Sequence, residues 1–361
     1  MVHPYQPNSN PERHGPAFAA LDLGTNNCRL LIGAPNGDGF RVLDSFSRIV
    51  RLGEGLQGTG RLNARAMDRA IEALKTCADR MALRPIRAAR AIATEACRQA
   101  VNVGEFLARV RTETGIRLDV ISAREEAELA LESCAPLLMG TGRRALLFDI
   151  GGGSTEVAWV RLDGCGARPD LSGPELIGYD SLPVGVVSLS ERYGAAAFTA
   201  AGFEAMVDDV AARLEPFERI HCIGHETSNG GVRQLGTSGT VTTLAGVALG
   251  LLRYRRPLVD GTVLTAGAAD HALGVLRGLG RDGLALHPCV GADRADFVLP
   301  GCAVFEAIRR TWPATEVIVA DRGLREGVLL RMLRQRHRSA DWPTVRRGWR
   351  PRPFSRTALP A

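Results

Sequence analysis

The sequence predicts an α/β protein of two similar domains that face each other across a cleft. Two observations carry this. Asp22-Leu-Gly-Thr-Asn-Asn27 and Asp149-Ile-Gly-Gly-Gly-Ser154 each follow an apolar run and precede another, Leu30-Leu-Ile and Val157-Ala-Trp. The same strand–turn–strand unit therefore opens each half, the mark of a duplicated α/β domain. The chain of 361 residues also has room for about two domains.

The elements follow in order. Residues 1–16 are polar and proline-rich, expected to be a disordered lead-in, and lack the apolar core of a signal peptide. Domain I, residues 17–137, opens with the first strand–turn–strand unit and a polar hairpin reaching residue 51. A helix over 63–81, a strand over 86–93, a helix over 103–114 and a strand over 118–122 come next. AREEAELALESCAPL has helical periodicity. Residues 136–144 read as a linker. Domain II, residues 138–321, continues from its own turn with a strand over 175–181 and helices over 198–213 and 241–252. Its glycine-, serine- and asparagine-rich stretch 223–232 reads as a loop. A closing helix spans 322–335, and residues 336–361 form a basic, proline-rich tail expected to be disordered.

Composition narrows the function. No apolar run reaches the roughly 18–20 residues that cross a bilayer, so no membrane partner and a cytoplasmic address are expected. The eight cysteines are scattered without C-x-x-C spacing, which reads as reduced thiols rather than a zinc site. His221, Cys222 and His225 have no partner cluster and read as plain loop. Lys75 is the only lysine, so a G-K-[S/T] phosphate loop is excluded. The net charge of +6 therefore rests on arginine. That suits polyanionic ligands, whose oxygens the guanidinium fork meets in pairs, and suits codon bias equally well.

Three turns carry candidate chemistry. Gly151, Gly152 and Gly153 offer backbone N–H groups unobstructed by side chains, and Ser154 adds a hydroxyl. Thr25, Asn26 and Asn27 could act alike from domain I. In GTSGTVTTLAG, Thr237, Ser238, Gly239 and Thr240 open a helix whose N-terminus attracts anions. Carboxylates beside phosphate sites need a cation between, so Asp149 and Glu156 read as magnesium ligands, directly or through water. Asp22 either joins them or only orders its turn. Ser122 and Glu125 have capping-box spacing, giving Glu125 a structural task. Glu126 then points about 100° away and is free to act as a general base. Arg98, sharing a helix face with Asn102, either clamps phosphate or sits on the surface, and Arg51 of RLGEGL has similar standing.

Together DLGTNNCRLLI, RLGEGL, ATEACRQAVN, SAREEAELA, FDIGGGSTEV, LPVGVVSL, LGTSGTVTTLAG and VADRGLREGVL resemble, in order, the Ppx/GppA phosphatase family of exopolyphosphatases and guanosine pentaphosphate phosphohydrolases. The resemblance runs over about residues 18–335. It implies two ribonuclease-H-like domains of the actin-like ATPase superfamily with an interdomain cleft. It implies Glu126 as the catalytic base, Asp149 and Glu156 tied to magnesium, and Arg98 with the three turns on phosphate. The closing helix is then expected to pack back on domain I. The chain departs from the family's pattern at Ala123, Thr25 and Asn27, which touches substrate preference rather than any charged site residue. It also stops where longer members continue into a further helical region, and so reads as the short, two-domain form. The expected reaction is magnesium-dependent release of terminal orthophosphate from inorganic polyphosphate. The alternatives are 5′-phosphate removal from guanosine pentaphosphate, or a non-catalytic regulator that binds these ligands. No specific nucleic acid partner is expected; a homodimer is a family-level expectation.

Overall fold

A computed structural model of the chain describes residues 16–37, 39–139, 142–162 and 174–338. The expected lead-in before residue 16 and the tail beyond residue 338 lie outside the described residues. The N-terminal half comprises β1 (Ala17–Leu23), β2 (Asn27–Asn36), β3 (Gly39–Ile49), α1 (Leu56–Thr59), α2 (Ala64–Ala82) and β4 (Ile86–Ala93). It continues with α3 (Glu95–Gln99), α4 (Val103–Thr114), β5 (Leu118–Val120) and α5 (Ala123–Cys134). The C-terminal half begins with β6 (Arg144–Ile150), β7 (Thr155–Arg161), β8 (Glu175–Leu182), α6 (Val186–Tyr193), α7 (Ala200–His221) and α8 (Ile223–Ser228). Next come β9 (Val232–Thr237), α9 (Gly239–Ala248), α10 (Arg256–Val259), β10 (Val263–Thr265) and α11 (Ala266–Gly278). The last elements are α12 (Gly280–Leu286), α13 (Ala295–Thr311), β11 (Glu316–Ala320) and α14 (Leu324–Arg338).

The duplication is visible in the topology. One sheet runs β3-β2-β1-β4-β5 and the other β10-β11-β9-β6-β7-β8. In each, an antiparallel three-strand meander is followed by two strands parallel to its first member, and in the second sheet β10 adds an antiparallel edge. The opening hairpins are closed alike, by Gly24 N–H donating to Asn27 O at 2.9 Å and Gly151 N–H to Ser154 O at 2.9 Å.

β1 is buried at every residue because both its faces are covered. Ala19, Leu21 and Leu23 face a core built with α2 and α4, while Phe18 and Ala20 face a second core with α5 and α14. That second core also takes Leu147, Ala158 and Val160 from the other sheet. Thus α5 and α14 lie between the two sheets, with α14 packed on α5, β1 and β2. Gly327 permits this, since a Cβ there would meet Leu129 O at 2.1 Å.

Four expectations change. The helix read over 198–213 is α7, which continues to His221. The stretch read as a loop over 223–232 holds α8 and the start of β9. Cys222 adopts a left-handed φ of 49°, which ends α7, and the Glu218 carboxylate then accepts the Gly224 N–H. The helix read over 241–252 ends at Ala248, where Gly250 at φ 61° turns the chain. Arg98 and Asn102 share no helix. Arg98 is in α3, whereas the Asn102 amide exchanges hydrogen bonds with the Leu62 backbone.

Candidate active site

A cavity of about 520 Å³ lies between the halves and is walled by the three turns. Asp22, Thr25, Asn26 and Asn27 enter from the β1–β2 hairpin, and Asp149, Gly151, Gly152, Ser154 and Glu156 from the β6–β7 hairpin. Thr237, Ser238, Gly239 and Thr240 enter where β9 becomes α9, and Glu126 from the first turn of α5. Ser238 caps α9 through its hydroxyl, which accepts the Thr240 N–H, and its φ of 111° is strained for a serine.

The two hairpins touch. A Cβ on Gly152 would stand 3.1 Å from Asn26 Cβ, and one on Gly153 2.7 Å from Thr25 Oγ1. These glycines therefore serve the close approach of one turn to the other, beyond the backbone exposure argued above. Gly153 faces Thr25 rather than the main cavity, and lines a small crevice with Gly53 and Glu191. From behind, the carbonyls of Gly151 and Gly152 accept the N–H groups of Val186 and Val187 at the start of α6, at 3.0 and 2.8 Å.

Four acids line the cavity: Asp22, Glu126 and Glu156 are buried and Asp149 is half-buried. Register pairs Asp149 directly with Glu156, and Glu156 also accepts the Ser181 hydroxyl at 3.0 Å. Burial pushes Asp149 up to about 6. Burial first and Asp149 second push Glu156 up to about 7. Asp22 is likewise raised by burial, with Arg29 opposing. Glu126 is held well above its ordinary range by burial and by Glu156, against the pull of Arg98.

Asp22 Oδ1 and Asn26 Oδ1 are buried without any hydrogen-bond partner. Orphaned hard oxygens beside Asp149 and Glu156 fit magnesium, which binds oxygen ligands and keeps several waters. Among the described residues no three His, Cys, Asp or Glu side chains converge to hold an ion unaided. Water and substrate oxygens would have to complete such a shell.

Ser122 caps α5 by accepting the Glu125 N–H at 3.2 Å. Glu125 does not return the bond and instead pairs with Arg90 at 2.8 Å and Arg331 at 3.4 Å. Only half the capping box forms, because two guanidinium groups compete for that carboxylate. Glu126 is left facing the cavity. Arg98 is not among the cavity-lining residues. It stands behind Glu126, binding it at 2.6 Å while also holding Glu95 and the Ile121 carbonyl. Nε and Nη1 donate to Glu95, the Ile121 carbonyl and Glu126, while Nη2 is buried without a hydrogen-bond partner. The guanidinium thus meets Glu126 from outside the cavity wall, where a phosphate clamp was expected.

Sequence reasoning missed Arg29, Arg294, Arg322, Arg325, Thr94, Tyr254 and Phe297, which also line the cavity. Arg29 had a signal: it alternates with buried Cys28 and Leu30 and so shares the strand face of Asn27. The others come from distant segments that only folding brings in. The side chains of Arg29 and Arg294 form no ion pair or hydrogen bond with described residues, and burial together with Arg29's charge lowers Arg294. Arg322 is held by Asp260 at 3.0 Å.

An α/β protein of two like sheets, with glycine-hydroxyl turns, buried acids and unpaired arginine side chains in its cleft, has features that suit phosphorylated ligands. The chain belongs to the Ppx/GppA phosphatase family, whose sequence model matches residues 32–336. It is 34% identical over 236 residues to a guanosine-5′-triphosphate,3′-diphosphate pyrophosphatase of Photobacterium profundum, covering 65% of this chain and 44% of that protein. It is 29% identical over 326 residues to the protein of that name from Aeromonas salmonicida, covering 90% and 61%. The chain thus spans less than two thirds of either relative. Among solved structures, the Aquifex aeolicus member of the family matches with a TM-score of 0.70 at 27% identity, over 90% of this chain and 99% of that one. An exopolyphosphatase-like protein matches with a TM-score of 0.76 at 28% identity, over 89% and 98%. No described helix is long and apolar enough to cross a membrane.

Proposed function

We propose that this chain hydrolyses a terminal phosphoanhydride, with guanosine pentaphosphate as its first substrate and orthophosphate as product. The observation that carries the reaction is Glu126: a cavity-facing carboxylate, fixed by Arg98 and raised by burial, beside turns suited to phosphate. Raised proton affinity makes the ionised carboxylate a stronger base toward water, and the Arg98 guanidinium favours that ionised form. The turns would bind the terminal phosphoryl group through N–H and hydroxyl groups, and Glu126 would orient and deprotonate a water in line with the scissile bond. Arg29 and Arg294 would neutralise the phosphate oxygens. Asp22, Asn26, Asp149 and Glu156 would hold magnesium, which supplies charge neutralisation of the phosphoryl group when bound.

The names of the two relatives favour guanosine pentaphosphate over the polyphosphate expected at first. Inorganic polyphosphate stays as the second reading because a solved relative at 28% identity is exopolyphosphatase-like. Orthophosphate release, measured with magnesium on guanosine pentaphosphate, long-chain polyphosphate, tripolyphosphate and ATP, orders these readings. Fastest release from guanosine pentaphosphate is expected, falling at least about 100-fold in Glu126→Gln. Release from none of the four, or near-normal turnover by that variant, overturns the assignment. Tight binding without release would point to the regulator.

A further inference from the structure

The RLGEGL loop has a role not accounted for by the reaction. We propose that Arg51 is a specificity-determining residue that grips a substrate phosphate remote from the bond that breaks; this rests on the proposed function. Its backbone holds φ at 48°, in the left-handed region that arginine seldom adopts. The surrounding bonds enforce that conformation. The N–H groups of Val50 and Arg51 both donate to Asn26 O, at 2.8 and 3.0 Å, and Gly53 N–H donates to Thr25 O at 3.0 Å. From the other side Arg69 donates to Val50 O at 2.9 Å and to Arg51 O at 3.3 Å. Strain so over-determined marks a side chain that must be presented in one direction.

That direction is across the cleft. The Arg51 guanidinium carbon lies 5.3 Å from the ring centroid of Phe297, which belongs to α13 of the other half and lines the cavity. The same loop is anchored to that half a second time, where Gly55 N–H donates to Glu191 at 3.0 Å. Arg51 has no ion pair or hydrogen bond to any described residue through its side chain. Stacking occupies the face of a guanidinium and leaves its in-plane N–H donors free for phosphate. Arg51 is fastened to the backbone of the turn whose Thr25 and Asn26 meet Gly152 and Gly153, and it does not line the cavity itself but stacks on Phe297, which does. It therefore stands at the rim, where the far limb of a substrate passes once its terminal phosphate is seated. A second phosphate group, such as the 3′-diphosphate of guanosine pentaphosphate, has the charge and reach to meet it.

The test compares guanosine pentaphosphate with GTP, which has the same triphosphate and no 3′-diphosphate. Arg51→Gly suits the left-handed backbone and removes the guanidinium without strain. It is expected to keep the melting temperature of the parent and to raise KM for the pentaphosphate roughly tenfold. KM for GTP should move less than about twofold, and kcat for either should hold. Arg51→Lys, retaining the charge alone, should recover part of the loss. Equal KM changes for both substrates, or a change confined to kcat, overturns the proposal. Should the parent release phosphate from neither nucleotide, the guanosine pentaphosphate reading fails on its own. Equilibrium binding then judges Arg51: a loss of affinity for the pentaphosphate but not GTP supports it, and unchanged affinity for both sinks it.

Discussion

Four carboxyl groups, Asp22, Glu126, Asp149 and Glu156, line one cavity, and burial raises the proton affinity of each. For Asp149 and Glu156 the folded values of about 6 and about 7 stand above the ordinary 3.8 and 4.5. Between those limits the folded protein binds more protons than the unfolded chain. Stability must therefore fall as pH rises through the window, and the full cost is present above about 7. Without divalent ions, the melting temperature is expected to drop by several degrees between about pH 5 and 8. Magnesium should restore it at the upper end and not at the lower, where protons compete for the same oxygens. Asp149→Asn combined with Glu156→Gln should flatten the slope. A flat profile in the parent, or an unchanged slope in the double variant, would contradict this account. These acids were legible in the sequence because each sits at a fixed offset from a glycine turn or a helix cap. Arg98 was legible as a charge beside the site but not as Glu126's partner, since 28 residues separate them and only the β4–β5 pairing makes them neighbours. Phe297 lies in the first turn of α13 and Arg294 immediately precedes it; the apolar pattern of that helix announces a core, with nothing to say which end meets the cleft.

At the scale of elements, the site depends on one turn being braced by another element's end. The first N–H groups of α6, which would otherwise lack partners, are spent on the Gly151 and Gly152 carbonyls. This fixes the β6–β7 turn from behind while its other side meets the β1–β2 turn. The approach is so close that a Cβ on Gly185 would stand 2.6 Å from both carbonyl oxygens. Backbone on both sides cannot yield cheaply, so Gly185→Ala should destabilise by about 1–3 kcal/mol and lose most activity by displacing the turn. Gly274, inside α11, meets nothing within 4 Å of an added Cβ, and Gly274→Ala should stabilise by roughly 0.5–1 kcal/mol. Chemical denaturation of the two variants checks the contrast; equal effects would remove the argument. The duplication itself was legible from paired D-x-G turns flanked by apolar runs. The α8 segment was not, because its start is set by Glu218 six residues upstream accepting the Gly224 N–H, a contact that glycine and serine content does not reveal.

For the whole molecule, the decisive feature is the shared core between the sheets. Phe18, Ala20, Leu31 and Ile92 of the first sheet reach the same cluster as Leu147, Ala158 and Val160 of the second, through Leu129 of α5 and Val328 and Leu329 of α14. Both helices thus bury apolar surface against both halves, and neither half can unfold without exposing the other's core face to water. The α5–α14 contact is reinforced by Arg331, which bridges Glu125 and Glu132 across the pair. The helix presenting Glu126 is therefore held by a segment about 200 residues away, which couples the geometry of the site to the integrity of both sheets. One cooperative unfolding transition follows, rather than a separate one for each domain. The described tryptophans, Trp159 and Trp312, both report on the C-terminal half. Amide exchange in β1, β4 and α2 reports on the N-terminal half. Under increasing denaturant the fluorescence midpoint and the free energy of global exchange in those elements should agree. Clearly separated transitions would mean that the shared core contributes little and that each half is stable alone. In that event a fragment holding the first sheet and α5 should fold by itself, an outcome that the exposed faces of Phe18, Ile92 and Leu129 argue against.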